Sequence, residues 1–169
     1  MVRIISFSAP DIKKIQGFKF LRLSVFFSND FYFFRYWKEK PLIQNLFSAD
    51  KKLLVAENME LTEAEAKDFW PVYNQYQDEL FLLRTRTVKL IKDFAEAYEK
   101  MSNETAKKLM DEFITIESLG PKLRQAYLPK FRKVLPEAKV VRYYQIENKI
   151  QAALFYELAA NIPLMKAAK

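Results

Sequence analysis

From Leu61 to Met101 large apolar side chains return at steps of four and three: Phe69, Tyr73, Tyr76, Leu80, Leu83, Leu90, Phe94, Ala97 and Met101, with Thr87 in the same row. That spacing keeps one face of a helix apolar over many turns. Thr62 stands three residues before Glu65. Its hydroxyl can accept from the Glu65 amide while the Glu65 carboxylate returns to the Thr62 amide, so a capped helix is predicted to start at about Glu63. From there to Lys100 is 38 residues, roughly 57 Å at the helical rise, far beyond an ordinary globular helix. A rod of that length needs a partner along its apolar face. Pro71 falls more than two turns inside it and removes the bond to residue 67, which predicts a kink beside Trp70.

The partner is predicted downstream. Ser102 and Asn103 offer a break and a fresh N-cap, after which Ala106, Leu109, Phe113, Ile116, Gly120, Leu123, Tyr127 and Val134 hold the same rhythm. The phase continues through Gly120-Pro121, so a second long helix from Glu104 to about Val134 is expected, bent at Pro121 and Pro129 but not ended. Folding back at Ser102 makes it antiparallel to the first, with the proline bends of the two arms at similar heights. Leu135-Pro136 then opens a last helix, with Pro136 at its first position, where a missing amide costs nothing. Its stripe is Val140, Tyr144, Glu147, Gln151, Leu154, Leu158 and Ile162, ending at Asn161-Ile162-Pro163. Ahead of the long helix, Ser48 or Asp50 can cap a short helix from Lys51 to about Asn58, turning Leu53, Leu54 and Met59 inward. The fold class is therefore all-α: a short helix, two long kinked antiparallel helices forming a bent hairpin, and a closing C-terminal helix.

Composition narrows the chemistry. The 169 residues contain no histidine and no cysteine, and only two glycines. Thiol nucleophiles, histidine bases and the usual zinc ligand sets are absent, and Gly-rich phosphate loops have almost no material. A non-enzymatic protein with no metal and no cofactor is expected. The net charge of +7 is uneven: residues 1–49 carry eight Lys/Arg against three Asp/Glu, leaving 20 against 18 for residues 50–169. The helical part is nearly neutral, and no recognised nucleic-acid motif accompanies its basic stretches, so no nucleic-acid partner is expected.

Residues 1–49 read as an extension, and residues 50–169 as the helical domain. Phe18 to Trp37 holds ten aromatics in twenty residues without sustained periodicity, interrupted by Lys19, Arg22, Asp30 and Arg35. It is too charged and too short to span a bilayer and lacks the uninterrupted apolar run of a secretory signal. Ala49 suits the position before a cleavage site, while Phe47 is too large for a good one. Three readings stay open: a non-native or poorly ordered extension, a degraded export signal, or an interfacial anchor over residues 18–40 that binds a membrane surface.

Two polar groupings stand out in the helical domain. Glu147 and Gln151 fall in the middle of an apolar stripe, and a buried carboxylate must find a cation. Arg84 and Arg86, beside the seam residue Thr87, are the expected partners, giving a polar layer of Arg84, Arg86, Glu147 and Gln151 that fixes helix register; a catalytic carboxylate is the competing reading. From Lys122 to Arg142 seven basic side chains face Glu137 alone, interleaved with Tyr127, Phe131, Tyr143 and Tyr144. Lys122, Arg124, Tyr127, Lys130, Phe131, Arg132, Lys133 and Arg142 are the candidate surface for acidic, partly unfolded proteins. The same residues also fit a solvated helix face with its aromatics in the core.

Leu61-Thr62-Glu63-Ala64-Glu65 resembles the LTxxQ motif of the Spy and CpxP family, with Glu in place of Gln, and Leu135-Pro136-Glu137-Ala138-Lys139 looks like a weaker second copy. The resemblance covers about residues 50–162. It implies a small periplasmic all-helical protein whose bent hairpin dimerises into a cradle. Such proteins act as ATP-independent chaperones or as envelope-stress modulators. Unfolded or envelope proteins are then the expected partners, with a homodimer as the expected assembly. The alternative is a structural or regulatory helical module that binds one specific protein, with a cytoplasmic location if no export signal operates.

Overall fold

The computed structural model describes residues 49–165. Among the described residues there are helices and no strand: α1 (Ala49–Met59), α2 (Glu63–Ala97), a 3-10 turn (Tyr98–Lys100), α3 (Asn103–Val134) and α4 (Glu137–Asn161). The readings placed on residues 1–48, including the export signal, the membrane-surface anchor over residues 18–40 and the cap offered to Ser48, lie outside the described residues.

The sequence signals explain where the long helices begin. Thr62 is extended, its hydroxyl accepts from the Glu65 amide at 3.3 Å, and the Glu65 carboxylate accepts from the Thr62 amide at 2.8 Å. After Ala97 the helix tightens into its 3-10 turn, and Ser102 caps α3 by accepting from the Thr105 amide at 3.1 Å. Three prolines sit inside the helices without ending them. Pro71, Pro121 and Pro129 are exposed, as are Lys67, Glu117 and Gln125, the residues whose carbonyls lose a donor, so water can take the place of each missing amide. Each ring pushes its helix away from the solvent side, curving the arms around the interior. Pro136 differs by one position from expectation. Its ψ of 147° is extended, so it is the N-cap of α4 and Glu137 is the first helical residue.

Contacts between numbered pairs give the topology. Phe69 packs on Phe131 and Tyr76 on Tyr127, while Arg86 pairs with Glu112, so α2 and α3 run antiparallel. Phe69 packs on Tyr143, Gln77 bonds Glu147, and Arg84 lies over Phe155, so α4 returns parallel to α2. Lys51 meets Glu147 and Asn58 meets Arg142, which sets α1 antiparallel to α4. The core sits where all four helices converge. Phe69, Tyr73, Tyr76, Tyr127, Phe131 and Tyr143 form a continuous aromatic cluster, closed by Val55, Met59, Leu135 and Val140. Phe131 and Tyr143 have centroids 4.6 Å apart, and Tyr143 meets Phe69 edge-on at 81°, arrangements that favour aromatic pairs beyond their buried area.

Two stripes differ from the predicted ones. On α1 the inward face is Lys51, Val55 and Met59, each four apart, and Leu53 is 59% exposed. On α4 Tyr143 is fully buried and Tyr144 only half-buried, because α4 lies across three helices and needs a wider apolar face than a single seam. The turn between α1 and α2 holds Glu60 at φ 50°, a left-handed conformation that costs a non-glycine residue of order 1 kcal/mol or more. Two bonds from α4 hold it: Lys139 donates to its carbonyl at 3.0 Å and Arg142 to its carboxylate at 2.7 Å. Lys139 also pairs with the capping carboxylate of Glu65. Thr62→Ala is expected to cost about 1 kcal/mol, the usual worth of an N-cap. Glu65→Ala should cost more, because it also frees Lys139; equal urea midpoints for both variants and the parent protein would refute this.

Candidate functional site

The residue that organises the interior is Glu147. It is 5% exposed, and its carboxylate takes protein donors on both oxygens. Lys51 donates to Oε2 at 2.9 Å, while Gln77 donates to Oε1 at 2.9 Å and Tyr143 to the same oxygen at 3.1 Å. Lys51 also donates to Gln77 Oε1 at 2.8 Å, and the Gln77 amide nitrogen donates to the Tyr143 hydroxyl at 3.2 Å. One orientation of the Gln77 amide satisfies this ring, since its oxygen must face an ammonium and its nitrogen a carboxylate. Burial lowers the Lys51 ammonium from its ordinary pKa of 10.5, and the neighbouring Glu147 carboxylate works in the opposite direction. Burial, with the Glu147 charge second, pushes the hydroxyls of Tyr73, Tyr76 and Tyr143 well above 10.

The counter-ion of Glu147 is therefore Lys51, not Arg84 or Arg86 as the stripe pattern suggested. Lys51 reaches it because α1 lies in the groove between α2 and α4, on a lysine whose stem replaces an apolar stripe residue. Arg86 points to the other side of α2 and makes a two-bond fork with Glu112, both bonds at 2.9 Å, at the surface. Gln151 accepts from Arg124 at 2.9 Å instead of joining Glu147. Arg84 is buried, and among the described residues it forms no ion pair; its guanidinium carbon lies 5.1 Å from the Phe155 ring centroid. The polar layer thus has Lys51, Gln77, Tyr143 and Glu147 as members. Of the four residues predicted for it, Glu147 alone belongs.

The predicted partner surface is also dispersed. Tyr127 and Phe131 are interior residues, 2% and 0% exposed, because they continue the α3 seam at a spacing of four. Tyr127 donates to Glu79 at 2.6 Å, and burial followed by that bond raises its pKa to about 12. Much of the positive charge is used between and within helices. Arg124 donates to Asn148 at 2.7 Å as well as to Gln151, Arg132 forks onto Glu137, and Arg142 holds Glu60. Lys130 lies 3.9 Å over the Tyr127 ring. Lys122 and Lys133 stand exposed. Leu61, Thr62, Glu65, Leu135 and Pro136 form the helix starts, and the Glu65–Lys139 pair brings the two motifs into contact.

A surface the seam reading did not single out lies on the hairpin arms. Phe81 and Leu82 on α2 and Met110, Phe113 and Ile114 on α3 are between 46% and 67% exposed. Phe113 had been expected in the seam; Ile116 and Leu109 fill that place and leave Phe113 on its flank. Phe81, Leu82, Met110 and Ile114 fall off the three-four rhythm, which is the signal that sets them apart. Among the described residues no helix is long and apolar enough to cross a membrane, and no group of three or more acidic side chains could hold a metal ion. Compared with known proteins, the chain matches no family model, no curated protein and no solved structure.

Removing Lys51 strands the Glu147 charge in the interior. Lys51→Met is expected to destabilise the protein by about 3–5 kcal/mol in urea denaturation. Lys51→Met combined with Glu147→Leu should recover part of that loss; a single variant within about 1 kcal/mol of the parent would count against the pair as the interior anchor. The tyrosines set an alkaline limit. Unfolded phenols lose their protons near pH 10, whereas Tyr73, Tyr76, Tyr127, Tyr143 and Tyr144 hold theirs to higher pH in the fold. Their stabilisation is complete below about pH 10 and drains as pH rises through the folded values. Lys51, with its lowered pKa, contributes in the opposite sense, as one group against five. Urea midpoints should stay level up to about pH 10 and fall steadily from there to about pH 12, and a flat profile over that range would contradict this account.

Proposed function

We propose that this is a non-enzymatic, periplasmic helical protein of the Spy and CpxP type, which binds unfolded or envelope proteins on its hairpin arms. The single observation that carries the reading is the exposed set of Phe81, Leu82, Met110, Phe113 and Ile114 on two long helices. Scattered apolar side chains on a rigid face give weak contacts to many chains, without the fixed shape that selects one. Lys122, Lys130 and Lys133, exposed farther along α3, add positive charge, which speeds encounter with acidic segments and is screened by salt. The LTxxE start at Leu61 and its partial repeat at Leu135 support the family likeness, and their physical role is to cap and tie the helices. The contact surface in this reading is the outer flank of the hairpin, and not the buried Tyr127 and Phe131.

The test is an aggregation assay with several unrelated client proteins, followed by light scattering. The parent protein should delay aggregation of each client, less so at high salt. Leu82→Ser, Phe113→Ser and Ile114→Ser together should weaken the effect severalfold while urea stability changes little, since all three side chains are exposed. Protection of one client alone, saturable at one-to-one, would replace this reading with a dedicated partner-binding module. An unchanged effect in the triple variant would remove the hairpin flank as the contact surface.

A further inference from the structure

Arg84 presents a problem that the rest of the interior has solved. It is 9% exposed, it sits on the face of α2 that looks toward α4, and its Nε is wholly buried with no hydrogen-bond partner. Among the described residues its guanidinium forms neither a hydrogen bond nor an ion pair; its one close neighbour with a favourable electrostatic face is the Phe155 ring. An arginine does not escape such a position by giving up its proton. The expected counter-ion, Glu147, is occupied by Lys51, Gln77 and Tyr143. Burial opposes the charge most strongly; the Tyr76 hydroxyl and the Glu147 carboxylate favour it, a second cation, Arg124, opposes it, and Glu117 favours it least.

A second guanidinium reaches the same part of α4. Arg124 is held against Asn148 and Gln151 on α4, and Phe155, one turn after Gln151, carries Arg84. The two guanidinium groups therefore approach adjacent turns of the same helix, from α2 and from α3. Between them on α3, one turn before Arg124, is Gly120. A Cβ built there would be in ordinary contact with the Leu83 side chain, at 4.0 Å, so α2 and α3 still touch at this level. Two fork-shaped donors that reach adjacent turns of one helix suit a single carboxylate or phosphate-type group.

We propose that Arg84 and Arg124 form an oxyanion-binding site in the cleft between α2, α3 and α4. The site takes one oxyanion, whether a free inorganic anion or the side-chain carboxylate of a bound acidic segment, and Arg84 supplies the buried charge that fixes it. The site is independent of the chaperone reading, because a free anion suffices to fill it.

The experiment is thermal unfolding of the full chain in sodium phosphate against sodium chloride at equal ionic strength, with calorimetric titration of an oligo-glutamate peptide alongside. The parent protein should show a saturable rise in Tm with phosphate, or saturable peptide binding. Arg84→Met keeps the side-chain volume and should abolish the response. Arg124→Gln, at a half-exposed position that does not endanger folding, should weaken the affinity at least tenfold. A phosphate response assigns the site to free anions, and a peptide response without one assigns it to a protein carboxylate. A non-saturating rise equal in the parent and in Arg124→Gln is general salt stabilisation and overturns the proposal, as does the absence of any response.

Discussion

The buried pair between Lys51 and Glu147 is the constraint on which the arrangement of all four helices turns. It joins residues 96 apart in sequence, and Gln77 draws α2 into the same ring of bonds. An 11-residue helix is marginal by itself, so α1 owes its existence to what it docks against. Apolar burial of Val55 and Met59 supplies the affinity for that docking, but apolar contacts tolerate sliding. The ion pair does not, since a shift by one turn would leave both charges unpaired in a medium that penalises each by several kcal/mol. The aromatic cluster raises that penalty by excluding water, and the pair in turn fixes how the rings meet. Tyr143 belongs to both groups: its ring packs on Phe131 and Phe69 and its hydroxyl donates to Glu147.

The hairpin was legible in the sequence because its signals are local or strictly periodic. Thr62 and Glu65 specify a helix start within four residues, and the three-four rhythm across more than thirty positions admits no strand. The prolines did not mislead, because helix continuity follows from an unbroken phase on both sides of each ring. Interactions between elements were less legible. A periodic stripe says which side chains share a face and leaves open which neighbouring helix that face meets. Glu147 plainly required a cation, and Arg84 and Arg86 were the expected partners because nothing in the sequence placed α1, which carries Lys51, against α4. Lys51 itself was hidden because Leu53 and Leu54 made a different face of α1 look more apolar. The basic run from Lys122 to Arg142 misled for a related reason. Charge counted along the chain does not reveal that Arg124, Arg132, Lys139 and Arg142 are each committed to a partner.

The two short motifs make sense as one joint. Leu61 to Glu65 starts α2 and Leu135 to Lys139 starts α4, and the parallel course of these helices brings the two starts side by side. Glu65 serves the cap of its own helix and the lysine of the other. Glu60, in its left-handed turn, is held by Lys139 and Arg142 from the same helix start. Motifs that look like independent capping signals are thus coupled through Glu65 and Glu60, and the coupling sets the angle at which α1 folds back onto α4.

The molecule is unequal from end to end, and that inequality has functional weight. Where four helices meet, aromatic side chains from α2, α3 and α4 fill the interior and every member of the Glu147 ring has a partner. Toward the turn at Ser102, Ile91 on α2 and Ile116 on α3 are buried, while Met110, Phe113 and Ile114 are exposed. Arg84 stands at the boundary between these regions, just beyond the polar ring, with its Nε buried and without a hydrogen-bond partner. A chain selected for stability alone would place an aliphatic residue there, since a buried arginine without a counter-ion weakens the fold. In the proposed function, Arg84 and the exposed side chains of the arms are the groups offered to a partner, held in fixed positions by a rigid, fully paired base.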